Sequence, residues 1–428
     1  MPTDSQGPKN SVLNELIDGI AARAREASLL LQGHPTASID KALLLMAGYL
    51  ESDKTRLKEE NAKDLEAARA KGLPAPMIDR LTLSDKALAS MVRGLREVAA
   101  LSSPVGEYYD ERERPNGLKI CKMRVPIGVI GIIYEARPNV TVDAAAICLK
   151  SRNAVVLRGG SEAFASNSAL CELFSKSLSE TGLPASALQF IPTTDRAAVE
   201  LLLQKDAYVD LIIPRGGESL IRTVVEKSRI PVIKHYKGVC HVFVSANADM
   251  DKAVPIAVNA KVQRPSVCNA METLLLDAGL DPQKKAAVIN ALIDNGVTLL
   301  GDEESRKLSD KIGAVDEAAL YNEYLDLRLS VVTVNGVDGA IKHINKYGSR
   351  HTDSIVTESK EEADAFVSRV DTASVMVNAS TRFADGGEYG MGCEIGISTD
   401  KLHSRGPMGV DDLTTYKWIV RGNGQIRE

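Results

Sequence analysis

From Gly128 onward the chain alternates short, β-branched apolar runs with helical patterns, and that alternation limits its fold more than any other feature. The runs "GVIGIIY", "AVVLRGG", "LQFIPT" and "VDLIIPRGG" are separated by segments such as "SEAFASNSALCELFSKSLSETG" and "DRAAVELLLQK". Strands that are apolar throughout, joined by helices, predict a parallel sheet covered on both faces. A second series follows, with strands "METLLLD", "LSVVTV" and "ASVMVN" set between helices "DMDKAVPIAVNAKVQ", "PQKKAAVINALIDNG" and "VDGAIKHINKYG". No linker or repeat divides the two series, so the boundary is placed softly near Val244. Before them, apolar spacing predicts long helices over 10–33 and 40–72, the second ending in a charged, solvated stretch and Gly72. Pro115-Asn116-Gly117, followed by alternating Leu118, Ile120, Met123 and Val125, predicts a protruding hairpin whose open edge invites a partner strand.

With 428 residues, 44% of them hydrophobic and 25% charged, the chain is long enough for two or three globular domains. A net charge of −5 and only 4% aromatic residues supply neither a basic stripe nor a stacking platform, which argues against nucleic acid as a partner. No run approaches the roughly 18 apolar residues of a membrane span, and no secretory pattern opens the chain, so a cytoplasmic location is the expectation. The six cysteines lie far apart without a C-x-x-C pair or H-E-x-x-H, and no metal is expected.

Two strand ends carry glycine turns. Arg215-Gly216-Gly217 lies between an apolar strand and a helix, where backbone N–H groups and the helix N-terminus suit a phosphate. Arg158 ends the strand "AVVLR", with Ser161 or Glu162 opening the next helix. Neither is the G-x-G-x-x-G fingerprint, and each reads equally as a structural turn. Together on one sheet they favour a dinucleotide. Cys268, in "VQRPSVCNAMETLLL", differs from the other cysteines because Arg264, Pro265, Ser266 and Asn269 surround it in a polar kink between helix and strand. It is either a half-buried bend residue or a reactive thiol.

The segments "VPIGVIGIIYEARPNVTVDAAAICLKSRNAVVLRGG", "IPRGGESLI", "HYKGVCHVFV", "QRPSVCNAMETLLL" and "RGPMGVDDLTTYKWIVRG" resemble the γ-glutamyl phosphate reductase family, a branch of the aldehyde dehydrogenase superfamily. The likeness runs from about Asp40 to the end, and "VNGVDGAIKHINKYGSRHTDSI" resembles the family signature, with His351-Thr352-Asp353 at its centre. It implies an α/β, aldehyde dehydrogenase-like fold: a Rossmann-type cofactor domain (1–106 and 127–244), an α/β catalytic domain (245–402) and a β-hairpin oligomerisation flap (107–126 and 403–428). It also implies NADPH-dependent reduction of L-glutamyl 5-phosphate to L-glutamate 5-semialdehyde, the second step of proline biosynthesis, in a homo-oligomer that a glutamate 5-kinase would supply.

By the same resemblance Cys268 is the nucleophile, forming a thioester, and Asn139 of "EARPNVTVD" is the oxyanion donor, although an asparagine after Pro138 also suits a turn. Arg158, Ser161, Arg215, Gly216, Gly217 and Glu323 are assigned to NADPH, with Arg158 as the cation for the ribose 2′-phosphate. Asn378, Ser380, Thr381 and Arg382 are assigned to the substrate's far end, where an arginine fork matches a carboxylate. As bare residues, Glu323 reads as a surface carboxylate and Arg382 as a salt-bridge partner. Aldehyde-oxidising relatives carry a water-activating glutamate where this chain reads "HYKG", with His235 in that place. Other readings are oxidation of another small aldehyde, or a catalytically retired superfamily member.

Overall fold

The computed structural model describes residues 8–234 and 236–427, so the expectation for His235 lies outside the described residues. The chain forms two compact units: residues 1–234, 390–396 and 408–428 make the first, and 235–389 and 397–407 the second.

In the first unit four parallel strands run in the order Leu188–Phe190, Ala154–Arg158, Val129–Tyr134, Leu211–Arg215. Because side chains alternate along a strand, each strand feeds two cores. Ile130, Ile132 and Tyr134 pack on one face with Leu43, Met46, Leu50 and Leu95, while Val129 and Ile133 pack on the other with Ile17, Ile20 and Ala24. This two-sided burial is why the strands read as unbroken apolar runs.

The helix expected over 40–72 is two helices, Thr36–Ser52 and Lys54–Ala70, broken at Asp53 (φ −95°, ψ 17°). The stretch expected to be solvated also buries Asn61 and Asp64. Asn61 binds Leu81 and Leu83 through their backbones, and Asp64 accepts the N–H groups of Ala165 and Ser166 at 3.1 and 2.8 Å, capping the helix Phe164–Glu180. The break lets the first helix fill the apolar core while the second faces these polar partners.

The hairpin expectation corresponds to strands Tyr108–Glu113 and Lys119–Pro126. The partner on its open edge is the chain's own strand Thr414–Arg421, paired antiparallel with Lys119–Pro126. Tyr108, Tyr416, Trp418 and Val420 are exposed on this ribbon.

The second unit contains a seven-stranded parallel sheet in the order Gly313–Ala314, Thr298–Gly301, Arg328–Val334, Met271–Asp277, Cys240–Val244, Thr352–Val356, Ser374–Val377. Leu274 and Leu276 face the helices Met250–Val262 and Pro282–Asp294, whereas Leu275 faces Ile341, Ile344 and Phe366. The boundary expected after Val244 falls instead between Lys234 and His235. The physical reason is that Cys240–Val244 is wholly buried and hydrogen-bonds on both edges within this sheet, to Met271–Asp277 and Thr352–Val356. Residues 390–396, expected with the catalytic domain, belong to the first unit.

Candidate active site

Helix Met250–Val262 ends three residues before Pro265, which disfavours helical geometry at Arg264, and the chain turns through Arg264–Asn269 into the strand Met271–Asp277. Cys268 sits half-exposed on that turn. Its peptide is held closely: a Cβ added to Gly238 would lie 1.8 Å from the Cys268 carbonyl oxygen, so only glycine fits there. The buried Cys240 thiol also donates to that carbonyl, at 3.2 Å, and burial raises its pKa well above the ordinary thiol range. The Gly238 N–H in turn donates to Glu323, whose carboxyl is raised by burial despite that bond and the nearby His351, Lys237 and Lys261. Glu323 is therefore a half-buried brace behind the Cys268 turn, not a solvated surface group.

Two further ties close the turn. Lys261 and Glu272, on the helix and strand that flank it, are both wholly buried and meet at 2.7 Å. Burial raises Glu272 to about 7 against the opposing pull of Lys261, and burial lowers Lys261. On the other side, Arg382 donates to Gln263 at 2.8 Å and to Asn269, while Asn269 donates to the Ala384 carbonyl at 2.8 Å. Burial lowers the Arg382 pKa, and Cys268 is among the groups whose charge it senses. Ser380 accepts the Arg382 N–H at 3.3 Å, and the buried Thr381 hydroxyl has no partner among the described residues. Asn378 is occupied elsewhere: its side chain exchanges two bonds with the Thr357 backbone, at 3.0 and 2.9 Å. The structure thus gathers Cys268, Glu323, Ser380, Thr381 and Arg382 in one unit and gives Asn378 a strand-end role.

In the first unit the turn after Val129–Tyr134 carries Glu135 and Ala136 and leads into the helix Pro138–Lys150, which carries Asn139. Ala136 has φ 31°, an uncommon conformation for a residue with a side chain, and its N–H donates to Glu162 at 2.6 Å. Glu135 accepts the Gly217 N–H at 2.8 Å, and a Cβ on Gly216 would strike that carboxylate at 2.5 Å. The Gly217 N–H at the start of helix Glu218–Lys227 is thus already paired with a carboxylate oxygen. Ser161 is exposed at the neighbouring turn, and Arg215 faces Glu394 at 3.7 Å.

Arg158 lies at the end of the strand Ala154–Arg158. It is only 7% exposed, and its guanidinium donates to the carbonyls of Gly159, Thr194 and Asp195 at 2.9, 3.3 and 3.4 Å. These bonds, formed at low exposure, clamp the ends of two neighbouring strands. The exposed cation in the adjoining loop is Arg196, close enough to depress the Arg158 pKa. Sequence reading missed Glu135, Lys261 and Glu272 as supporting residues, and named Glu162 only as a residue opening a helix; a lysine on the helix "AVPIAVNAKV" and a glutamate opening "METLLLD" were the available signals.

Asn139 is exposed in the first turn of helix Pro138–Lys150 and donates through Nδ2 to Asp143 at 3.0 Å. Burial raises Asp143 to about 6, opposed by Asn139, Cys393 and Arg215 and reinforced by Glu394.

Residues 14–320 match the family described as the aldehyde dehydrogenase family. γ-Glutamyl phosphate reductase from Citrifermentans bemidjiense is 52% identical over 96% of this chain and 99% of that protein; the Geobacter metallireducens one is also 52% identical, over 97% and 99%. The crystal structure of γ-glutamyl phosphate reductase from Thermotoga maritima superposes with a TM-score of 0.93 at 43% identity, covering 96% of this chain and all of that one. An acetylating aldehyde dehydrogenase from Geobacillus thermoglucosidasius, at 18% identity and a TM-score of 0.70, shares the fold. The chain belongs to the γ-glutamyl phosphate reductases, an oxidoreductase branch of the aldehyde dehydrogenase family.

Proposed function

We propose that this protein reduces L-glutamyl 5-phosphate to L-glutamate 5-semialdehyde and phosphate, with NADPH as reductant, through a thioester on Cys268. The observation that carries this reading is the bracing of the Cys268 turn by Gly238, Cys240, the Lys261–Glu272 pair and the Arg382–Asn269 bond. Such bracing holds a half-exposed thiol in one attitude, which covalent catalysis requires. The Cys268 thiolate attacks the acyl carbon, a sulfur–carbon bond forms, and the carbon–oxygen bond to phosphate breaks with its electron pair leaving on phosphate. The nicotinamide dinucleotide, when bound at the Gly216–Gly217 and Ser161 turns, supplies the hydride. Cys268 sulfur then departs as aldehyde is released, and the thiol is ready for another acyl group. Asn139 donates an N–H to the oxyanion, a contribution of about 2.7–4 kcal/mol in comparable sites. Arg382 supplies positive charge for the α-carboxylate of the substrate, with Ser380 and Thr381 beside it in the chain. The exposed aromatic ribbon around Trp418 is the surface for homo-oligomer formation, and a glutamate 5-kinase and a cytoplasmic setting complete the reading.

An acyl phosphate is already activated, so the reductase needs no water-activating carboxylate, in keeping with His235 at that place in the sequence. Oxidation of the semialdehyde with NADP⁺ therefore depends on added phosphate, which replaces water as acceptor of the thioester. NADPH formation is followed with and without phosphate. A burst of about one turnover without it, then steady turnover on its addition, is expected for a single acylated thiol. Equal steady rates with glutamate as product would move the protein to aldehyde oxidation.

A further inference from the structure

Asn139 is exposed, and its amide is tied on one edge. Asn139 Nδ2 donates to Asp143 Oδ2 at 3.0 Å, one helical turn further on, and the Cys393 thiol donates to the other oxygen, Oδ1, at 3.7 Å. The helix Asp85–Ala100 closes the far side: a Cβ on Gly94 would lie 2.5 Å from Cys393 Sγ and 3.9 Å from Asp143 Oδ1. Arg215 and Glu394 are the charged groups that act on the carboxylate from the neighbouring strand end and from the segment carrying Cys393, and Glu97 acts on Cys393 from the helix Asp85–Ala100. An asparagine amide has a donor edge and an acceptor edge of nearly the same shape, and which one it presents is set by its partners. An ionised carboxylate only accepts, so it selects the orientation in which NH₂ faces it. A protonated carboxyl donates as well, and it then accommodates the reversed amide.

We propose that Asp143 is a positioning residue that fixes the amide of Asn139, so that its remaining N–H is presented to the developing oxyanion. This rests on the reading of Asn139 as the oxyanion donor, given above. Burial, opposed by Asn139, Cys393 and Arg215, raises the Asp143 carboxyl to about 6, so the selection weakens as pH falls through that value. Cys393 and Gly94 matter to the arrangement because the thiol contacts the carboxylate and only a residue without a Cβ at 94 leaves room for that thiol.

The test compares Asp143→Asn, Asp143→Leu, Asn139→Ala and Asn139→Ala/Asp143→Leu in the full-length protein, reading kcat, KM and the pH dependence of kcat, with thermal melting as the folding control. Asp143→Leu is expected to lower kcat about tenfold or more with KM little changed, the pattern of a lost transition-state contact. Asp143→Asn, which like a protonated carboxyl donates as well as accepts, is expected to keep the lowered kcat and to remove the acid limb near pH 6 expected of wild type. Wild type and Asp143→Asn share every other titrating group, so the difference between their profiles isolates Asp143. In the Asn139→Ala background, Asp143→Leu is expected to cost nothing further. An equal additional loss in the double variant, or an unchanged acid limb in Asp143→Asn, would overturn the positioning role while leaving Asn139 as donor. An Asn139→Ala enzyme with full kcat would remove the oxyanion reading itself, and the role of Asp143 with it.

Discussion

The two units hold their functional turns by different means. The Cys268 turn is fastened from within, by a glycine that admits no side chain, a buried thiol, a buried ion pair and an arginine bonded to its neighbouring asparagine. At the glycine turns of the first unit, acceptors from other loops take the donors: Glu135 on Gly217, and Glu162 on Ala136 with its carboxylate against the Cβ position of Gly160. The proposed nucleophile gains from rigidity throughout the cycle, whereas a turn proposed to receive and release an anionic cofactor group needs an occupant that can leave. Carboxylates held by one backbone N–H suit the second task, and a buried Lys–Glu pair suits the first.

The largest expected effect tests whether the fastened turn exists to present sulfur. Cys268→Ala should abolish reduction while NADPH still raises the melting temperature, since the alanine leaves the first unit intact. Residual turnover near wild type in a steady-state assay would end the covalent mechanism.

The fastening itself is tested by Lys261→Met, which leaves Glu272 buried and unpaired; breaking such a pair costs about 3–5 kcal/mol, to be read by urea denaturation. Replacing both residues with methionine should recover much of that loss, because two apolar side chains need no counter-charge. If the double variant is stable but slow, the pair serves the geometry of the Cys268 turn more than the stability of the unit.

Asn139→Ala should lower kcat by about 10²–10³ with a smaller change in KM, as for other oxyanion donors. A change confined to KM would make it a binding residue.

The smallest effect concerns the removable occupants. Glu135→Ala should tighten NADPH binding severalfold, measured by titration of the melting temperature or by calorimetry, because the cofactor no longer displaces a carboxylate from Gly217. Weaker binding instead would show that Glu135 supports the turn and would narrow the contrast between the units.

Much of the fold was legible because parallel strands buried on both faces leave an unbroken apolar record, and each strand quoted from the first series is found in the four-stranded sheet. Pro265 and the polar residues around Cys268 likewise marked a turn without knowledge of its neighbours. Periodicity was silent about the break at Asp53, where no proline or glycine interrupts the helical pattern and only the two helices' different partners account for it.

Sequence alone therefore determined the two series of strands and helices, the hairpin and the turn that carries Cys268, since each depends on local geometry and on apolar spacing within a few residues. Tertiary structure decided which polar side chains those turns meet. Arg158 reads as a free cation until the carbonyls of Thr194 and Asp195, 36 and 37 residues on, enclose it. Glu135 reaches Gly217 across 82 residues only because their two strands are neighbours in one sheet. The value of a charge depends on its burial and its partners, and both are set by the packing of distant segments.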